Sequence, residues 1–410
     1  MLNQTFLDEV ARFRDDLKQV SGWDDLRVLW RRNVPPYRVV SRDPLSAEYR
    51  AEILTLYKLM TDTSYELSNE LTSTKVPPAD FARGFPWMTN DLGTAAAELA
   101  KVVQAFRVMQ AFAPEARRVV EFGSGWANLA VALAQVGRDV TAVDIDEGFV
   151  ARTNDLASRY NLMIHTVNAD FCTAARAMDN DFDAIIFQSS FHHCLDFNEL
   201  LGLLRIKALS PRGRVFFFSE PVFASYPFPW GLRVDGESLW AITSNKWCEL
   251  GFDRDFFLTL LQAHGFLGTA TGAIPDVIGD AWVATPAELG LQFEAWALPA
   301  RYDETFHTMR DAGQGRFLRE RSVLPVPGRG RAMLKLTNYA PFALRAIVAS
   351  GAAEANVAIE PGTEKEVVLD GVSGEISMRS DTFIPDDAYS SGDKRRVGLS
   401  LLHVRFSDAV

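Results

Sequence analysis

Residues 118–128 read RVVEFGSGWAN, and the fold of the central part of the chain turns on them. Val119, Val120 and Phe122 form a strand-like apolar run that stops at Gly123-Ser124-Gly125. Glycine supplies backbone angles closed to other residues and lets a ligand lie against the chain. The apolar stretch WANLAVALAQVG (126–137) then spaces its residues as a helix. A strand, a glycine turn and a helix make the first half of a βαβ unit, which RDVTAVD (138–144) completes.

Outward from this unit the alternation continues through EGFVARTNDLASRY (147–160), LMIHTVNAD (162–170), FDAIIFQSS (182–190), FNELLGLLRIKAL (197–209) and GRVFFFSEP (213–221). Strand and helix at this spacing require right-handed crossovers and a parallel sheet covered on both faces. The expected class is α/β, a doubly wound, mostly parallel sheet. It extends through a helix at DRDFFLTLLQAHGF (253–266), a strand near GTATGAI (268–274) and a last strand at LQFEAWAL (291–298).

The flanks differ. LSAEYRAEILTLYKLMTDTSYELSNEL (45–71) and LGTAAAELAKVVQAFRVMQAF (92–112) have helical spacing, and VPPADFARGFPWMTND (76–91) interrupts them with prolines. Its Phe-Pro-Trp segment is placed to cover a pocket. Beyond residue 327, short β-rich runs such as RAMLKLTNY (331–339), LRAIVASG (344–351) and KEVVLDG (365–371) end in turn residues, the pattern of a small β-sandwich. The expected organisation is a helical N-terminal cap (1–112), the α/β domain (113–300), a connector (301–327) and a β-sandwich accessory domain (328–410).

With 42 basic and 53 acidic side chains the net charge is −11, and the basic residues are scattered, which argues against a nucleic-acid binder. Three distant cysteines give neither a disulfide framework nor a thiolate zinc site. The N-terminus lacks the basic start and apolar run of a signal peptide, and no apolar stretch is long enough to span a bilayer. A cytoplasmic protein is expected, with a homodimer compatible and no integral membrane segment.

In an open parallel sheet, ligands bind beyond the carboxyl ends of the strands. Asp144 closes the second strand, where a carboxylate can accept both hydroxyls of a ribose. Asp170 closes the third, within reach of an adenine amino group, with Phe171 as an apolar wall. Glu121 precedes Gly123 and suits a cationic or amino-bearing ligand. Asp146, by contrast, reads as a helix cap. A dinucleotide oxidoreductase would need glycine at position 128, where Asn128 stands, and has no use for acids at Glu121 and Asp170.

The combination resembles the class I S-adenosylmethionine-dependent methyltransferase family. EFGSGWA (121–127), VDID (143–146), NADF (168–171), FDAIIFQSSFHHCLD (182–196) and LSPRGRVFFFSEP (209–221) match its successive motifs over roughly residues 85 to 300. Ala127 departs from the third glycine often seen, and Trp126 is bulky. The resemblance implies that S-adenosylmethionine is the cofactor. It places Glu121, Gly123 and Gly125 at the methionine part, Asp144 and Ile145 at the ribose, and Asp170 and Phe171 at the adenine. Gln188 and Ser189 fall at the methionine end.

Methyl transfer needs the acceptor in line with the methyl carbon, and a hydroxyl acceptor must also lose its proton. His192 and His193 follow the fourth strand, and Glu220 closes the fifth. These three are the candidate catalytic residues, with His192 marginally preferred as base. No metal site is expected, because the consecutive His192, His193 and Cys194 would have to converge on one ion. The insertion at 221–252 mixes Tyr226, Trp230, Trp240 and Trp247 with Arg233, Asp235 and Glu237, a composition suited to a sugar-like acceptor. Three of the four aromatics are expected to fill the interface with the N-terminal helices. The C-terminal stretch SDTFIPDDAYSSGDKRRVGLSLLHVRF (380–406) is similar to a β module beside bacterial surface-polysaccharide enzymes, which implies a saccharide or glycolipid acceptor; the other reading of the module is a dimerisation or stabilising appendage. A binding protein that keeps the nucleoside pocket without turnover is the alternative.

Overall fold

The computed structural model describes residues 4–73, 91–271, 281–287, 291–294, 307, 315–325, 330–373, 375–391 and 393–408. The proline-rich Phe-Pro-Trp segment lies outside the described residues. Strands β1 (Arg118–Phe122), β2 (Asp139–Asp144), β3 (Ile164–Asn168), β4 (Phe182–Gln188) and β5 (Leu209–Phe218) run parallel in the order β3-β2-β1-β4-β5. Val119, Val120, Phe122 and Ala184 through Phe187 are fully buried, as central parallel strands with both faces covered must be. Strand order reverses between β1 and β4. Their connections diverge there and leave a crevice at the carboxyl ends.

Helices α1 (Gln4–Leu17), α2 (Trp23–Trp30) and α3 (Ala47–Thr61) lie over a small sheet formed by β6 (Val222–Phe223), β7 (Trp230–Leu232) and β8 (Leu250–Asp253). Helix α3 starts where the Ser46 side chain accepts from the Tyr49 amide, and it buries Tyr49, Ile53, Leu56, Tyr57 and Met60 on one face. The two tyrosine hydroxyls leave that face to donate to backbone oxygens of the insertion, Tyr49 to Trp230 at 2.7 Å and Tyr57 to Lys246 at 2.5 Å. Helix α4 (Leu92–Phe112) is no part of this cap. Ala105, Val108, Met109 and Phe112 belong to the core on the other side of the sheet, so the expected cap of 1–112 divides between two layers.

The sheet continues past β5 with β10 (Ala281–Pro286) and then β9 (Phe266–Thr271), both pairings antiparallel, with Trp282 opposite Phe217 and Ala270. This corrects the expected last strand. The described part of LQFEAWAL, β11 (Leu291–Glu294), pairs instead with β19 (Ser400–Asp408) of the C-terminal β region. The reason is visible in the pattern: Leu291 and Phe293 alternate with Gln292 and Glu294, as suits a sheet wet on one face. Ala281 through Pro286 are buried throughout.

Between β11 and β19 come β12 (Arg316–Phe317), β13 (Arg321–Pro325), β14 (Gly330–Thr337), β15 (Leu344–Ser350), β16 (Ala353–Ile359), β17 (Glu364–Val372) and β18 (Glu375–Ser380). They form two antiparallel sheets, β11-β19-β14-β17 and β13-β18-β15-β16, with β12 beside β19. Burial alternates along β15, the mark of strands with one face on a core. The expected connector 301–327 therefore contains sheet: Arg321–Pro325 pairs with β18. One apolar cluster joins Val108 and Phe112 of α4 to Leu334 and Val404 of the sandwich.

Candidate functional site

The chain leaves β1 through residues at positive φ: Gly123 at 72°, Gly125 at 47° and Ala127 at 60°. A side chain on Gly123 would put its Cβ 2.6 Å from Ser190 Cβ, whereas one on Gly125 would meet nothing within 4 Å. Gly123 thus lets β1 and the segment after β4 close together, and Gly125 borders open space. Asp144, at the end of β2, ties this turn down. Its Oδ2 accepts from the Gly125 amide at 2.8 Å and its Oδ1 from the Asp146 amide at 2.9 Å. Burial raises the Asp144 carboxyl, and these amide bonds work in the opposite direction. Each oxygen keeps a lone pair for a ligand hydroxyl.

The cleft so formed is lined by Gly123, Gly125, Asp144, Ile145, Phe171 and Ser189 of the expected cofactor set, together with residues outside it that include Glu70, Thr72, Phe149, Ser190, His193 and Trp247. Asp170 borders an adjoining hollow that shares Ile145, Phe171 and His193. It also caps helix α7 (Phe171–Arg176; α5 and α6 being Asn128–Gln135 and Glu147–Tyr160), its Oδ1 accepting from the Thr173 amide. Glu121 and Gln188 do not line the cleft. Each carries a buried side-chain oxygen without a hydrogen-bond partner, which in a native fold calls for a missing donor. Asp146 caps α6 as expected, accepting from the Gly148 amide, and also takes the Thr72 and Ser73 amides at 2.7 and 2.6 Å. That anchors the end of the N-terminal cap on the cleft.

Glu121 is 3% exposed. Desolvation, assisted by the Asp144 charge, pushes its carboxyl up to about 8. The group is neutral in the folded chain at pH 7 and ionised in the unfolded chain. A raised acid contributes stability at low pH that is lost as pH rises from the unfolded value towards about 8. Between pH 6 and 8 the native state should therefore lose up to about 1.4 kcal/mol per unit at this one residue. Glu121→Gln removes that loss, so its urea midpoint should overtake the wild type increasingly from pH 6 to 8. Parallel pH profiles for the two proteins would exclude the shift.

At the far side of the cleft, Glu220 is a buried hub. Oε1 accepts from the Ser190 and Phe191 amides at 2.7 and 2.9 Å, and Oε2 from the His192 amide at 3.1 Å and its Nδ1 at 2.7 Å. With both oxygens occupied, Glu220 has no capacity to take an acceptor's proton, which corrects its candidacy as base. His192 is 6% exposed and lies between two carboxylates, its Nε2 3.5 Å from Glu249 Oε2. Burial alone would lower the His192 imidazole, but Glu220 and Glu249 outweigh it and push the ring up to about 9. His192 does not line the cleft, so the preference for it as base finds no support in the geometry. Glu249 is driven down to about 2, its own burial overcome by the two histidines and Arg233.

His193 is the histidine on the cleft, with Nδ1 3.1 Å from Glu70 Oε2 and its ring 6.2 Å from Trp247. The two imidazoles have centroids 4.3 Å apart. Among the described residues, His192, His193 and Glu249 bring donor atoms within 4.8 Å of one another, a ligand set for a metal. The third member is Glu249, which the sequence did not mark, and not Cys194. Of the insertion's aromatics, Trp230 is buried against Tyr49 and Phe197, Trp240 packs on Trp30, and the Tyr226 hydroxyl donates to the Gly231 and Leu232 oxygens. Only Trp247 of these four lines the cleft. Glu70 and Thr72 were also missed, since neither stands in a motif.

A family model described as a methyltransferase domain matches residues 119–211, the segment carrying β1 to β4 and the start of β5. Over these residues the chain is similar to a methyltransferase domain. Solved structures similar to this chain are distant. One is the S-adenosylmethionine-dependent methyltransferase SibL in its apo form, 18% identical, covering 67% of this chain and 69% of that one, with a TM-score of 0.41. Another is the 1,6-didemethyltoxoflavin-N1-methyltransferase of Burkholderia thailandensis, 21% identical over 48% of this chain and 80% of that one, with a TM-score of 0.36. A third is the magnesium protoporphyrin IX methyltransferase of Synechocystis PCC 6803, 15% identical over 50% and 89%, also at 0.36. No curated protein matches the sequence.

Proposed function

We propose that the protein is an S-adenosylmethionine-dependent methyltransferase acting on an oxygen of a saccharide or another small polar acceptor. The observation that carries this reading is the cleft at the β1–β4 divergence. There Gly125 borders open space, Asp144 presents a pinned carboxylate, and Glu121 keeps a buried oxygen without a partner. The residues at the cleft fit the cofactor: Gly123, Gly125 and Ser189 would hold its methionine part, Asp144 and Ile145 the ribose, Asp170 and Phe171 the adenine, while Glu121 and Gln188, expected at the methionine part, stand outside the lining. When bound, the sulfonium supplies the methyl group. His193 meets the acceptor oxygen, while His192 and Glu220 fix the segment that carries it. Trp247 supplies an apolar wall beside His193 and limits water there. No described helix is long and apolar enough to cross a membrane. We place the reaction in the cytoplasm, in polysaccharide assembly.

Calorimetry with S-adenosylhomocysteine against NAD(P) tests the reading. S-adenosylhomocysteine should bind, and Asp144→Ala should weaken it by about 1–3 kcal/mol through the lost ribose contact. Binding of NAD(P) alone, or unchanged affinity in the variant, would overturn it. The second reading is a binding protein that recognises a glycan. It is favoured by one observation, a hollow of about 800 Å³ on the β13-β18-β15-β16 sheet lined by Arg321, Arg345 and Arg379. Cofactor binding without methylation of any nucleotide-sugar or glycan, together with glycan capture on that face, would select it.

A further inference from the structure

His192, His193 and Glu249 each contribute one donor atom to a group no wider than 4.8 Å, beside the cofactor cleft. One separation within this neighbourhood suits shared ligation better than hydrogen bonding. His192 Nε2 lies 3.5 Å from Glu249 Oε2. A charge-assisted N–H to carboxylate bond closes to about 2.7–2.9 Å. Two ligands about 2.0–2.2 Å from one tetrahedral ion stand about 3.3–3.6 Å apart. His193 Nδ1 is buried and makes no hydrogen bond, although Glu70 Oε2 is only 3.1 Å away, so that nitrogen is not aimed at Glu70.

The surroundings have the form of a metal site's outer layer. Glu220 accepts from His192 Nδ1 at 2.7 Å, which fixes the ring with Nε2 towards Glu249, the carboxylate–histidine arrangement that orients metal ligands. Glu220 is itself held by the amides of residues 190 to 192, and Glu70 by the Cys248 amide at 2.8 Å. The charges also leave room for a cation. Three carboxylates, Glu70, Glu220 and Glu249, surround the histidines, and the guanidinium beside them is Arg233, 3.6 Å from Glu249 Oε2. Imidazole with a carboxylate suits zinc-class ions and not magnesium or calcium, which prefer oxygen.

We infer that His192, His193 and Glu249 bind one divalent transition-metal ion of the zinc class, with Glu70 adjacent. The ion has an open position towards the cleft. If the methyltransferase reading holds, on which this last step rests, the open position takes the acceptor's oxygen, and His193 meets the acceptor through the ion.

Metal content of the untagged full chain, purified without chelators, and titration of chelator-treated protein with Zn²⁺ and Co²⁺ test the site. The visible absorption of bound Co²⁺ reports ligation directly. About one equivalent is expected, with affinity falling at least tenfold in Glu249→Gln and in His193→Asn, the loss typical of a removed ligand or its support. His165→Asn, a change at an exposed pair with Asp139, should leave metal affinity unchanged. Each variant is checked by its melting temperature and its S-adenosylhomocysteine affinity. If one variant does not fold, the other decides. No binding of either ion, or stoichiometric binding indifferent to both substitutions, would overturn the site. S-adenosylhomocysteine binding without metal defeats the metal inference alone, and metal binding without S-adenosylhomocysteine defeats the methyltransferase reading alone.

Discussion

Glu220→Ala is expected to cost about 3–5 kcal/mol of stability, the range for removing one partner of a buried ion pair. The residue is 4% exposed and satisfies three backbone amides and the His192 imidazole at once. Alanine leaves those donors buried without an acceptor, and the imidazole loses the carboxylate that holds its proton. Urea unfolding gives the measurement: a midpoint shifted far down with an unchanged slope. Glu220→Gln keeps one acceptor oxygen and should fall between the two. An unfolding free energy within about 0.5 kcal/mol of the wild type for the alanine variant would show that the hub does not hold the segment after β4.

His193→Ala should lower kcat by about 10²- to 10⁴-fold, the range for removing a group that positions or deprotonates the reacting oxygen. The side chain is partly exposed on the cleft, so its loss should leave the fold intact. Affinity for S-adenosylhomocysteine should stay within about threefold, because Gly125 and Asp144 are untouched; that margin is about 0.6 kcal/mol. The corresponding change at the neighbouring His192 should instead lower the melting temperature, since that ring is bonded inside the hub. Equal kcat in wild type and His193→Ala would move the acceptor elsewhere in the cleft.

The central fold was legible because its signals are local. A strand buried on both faces is apolar throughout, and RVVEF and FDAIIFQ are nearly so; the glycines after β1 need their positive φ whatever surrounds them. Crossover handedness fixes the hand of each βαβ unit and ligands bind beyond the carboxyl ends of the strands, so the acids at those ends could be named as candidates from the chain alone, whereas the strand order and its reversal between β1 and β4 came from the structure. The misreading of LQFEAWAL shows the limit. Its alternation identified a strand, while which sheet accepted it depended on β19, more than 100 residues away.

What only the tertiary structure decided is the assignment of roles at the acceptor end. Residue types named His192, His193 and Glu220 as reactive. Their duties depend on direction and company, which are set by packing between distant segments. Glu220 faces inward to the amides of residues 190 to 192, while Glu70 reaches the Cys248 amide from 178 positions away. Glu249, inconspicuous in sequence, closes the cluster because β8 sits beside the turn that carries the histidines. Local chemistry fixes which backbone can bend around a ligand. Charge, burial and proton affinity at the reacting end are sums over neighbours that meet only when the chain has folded.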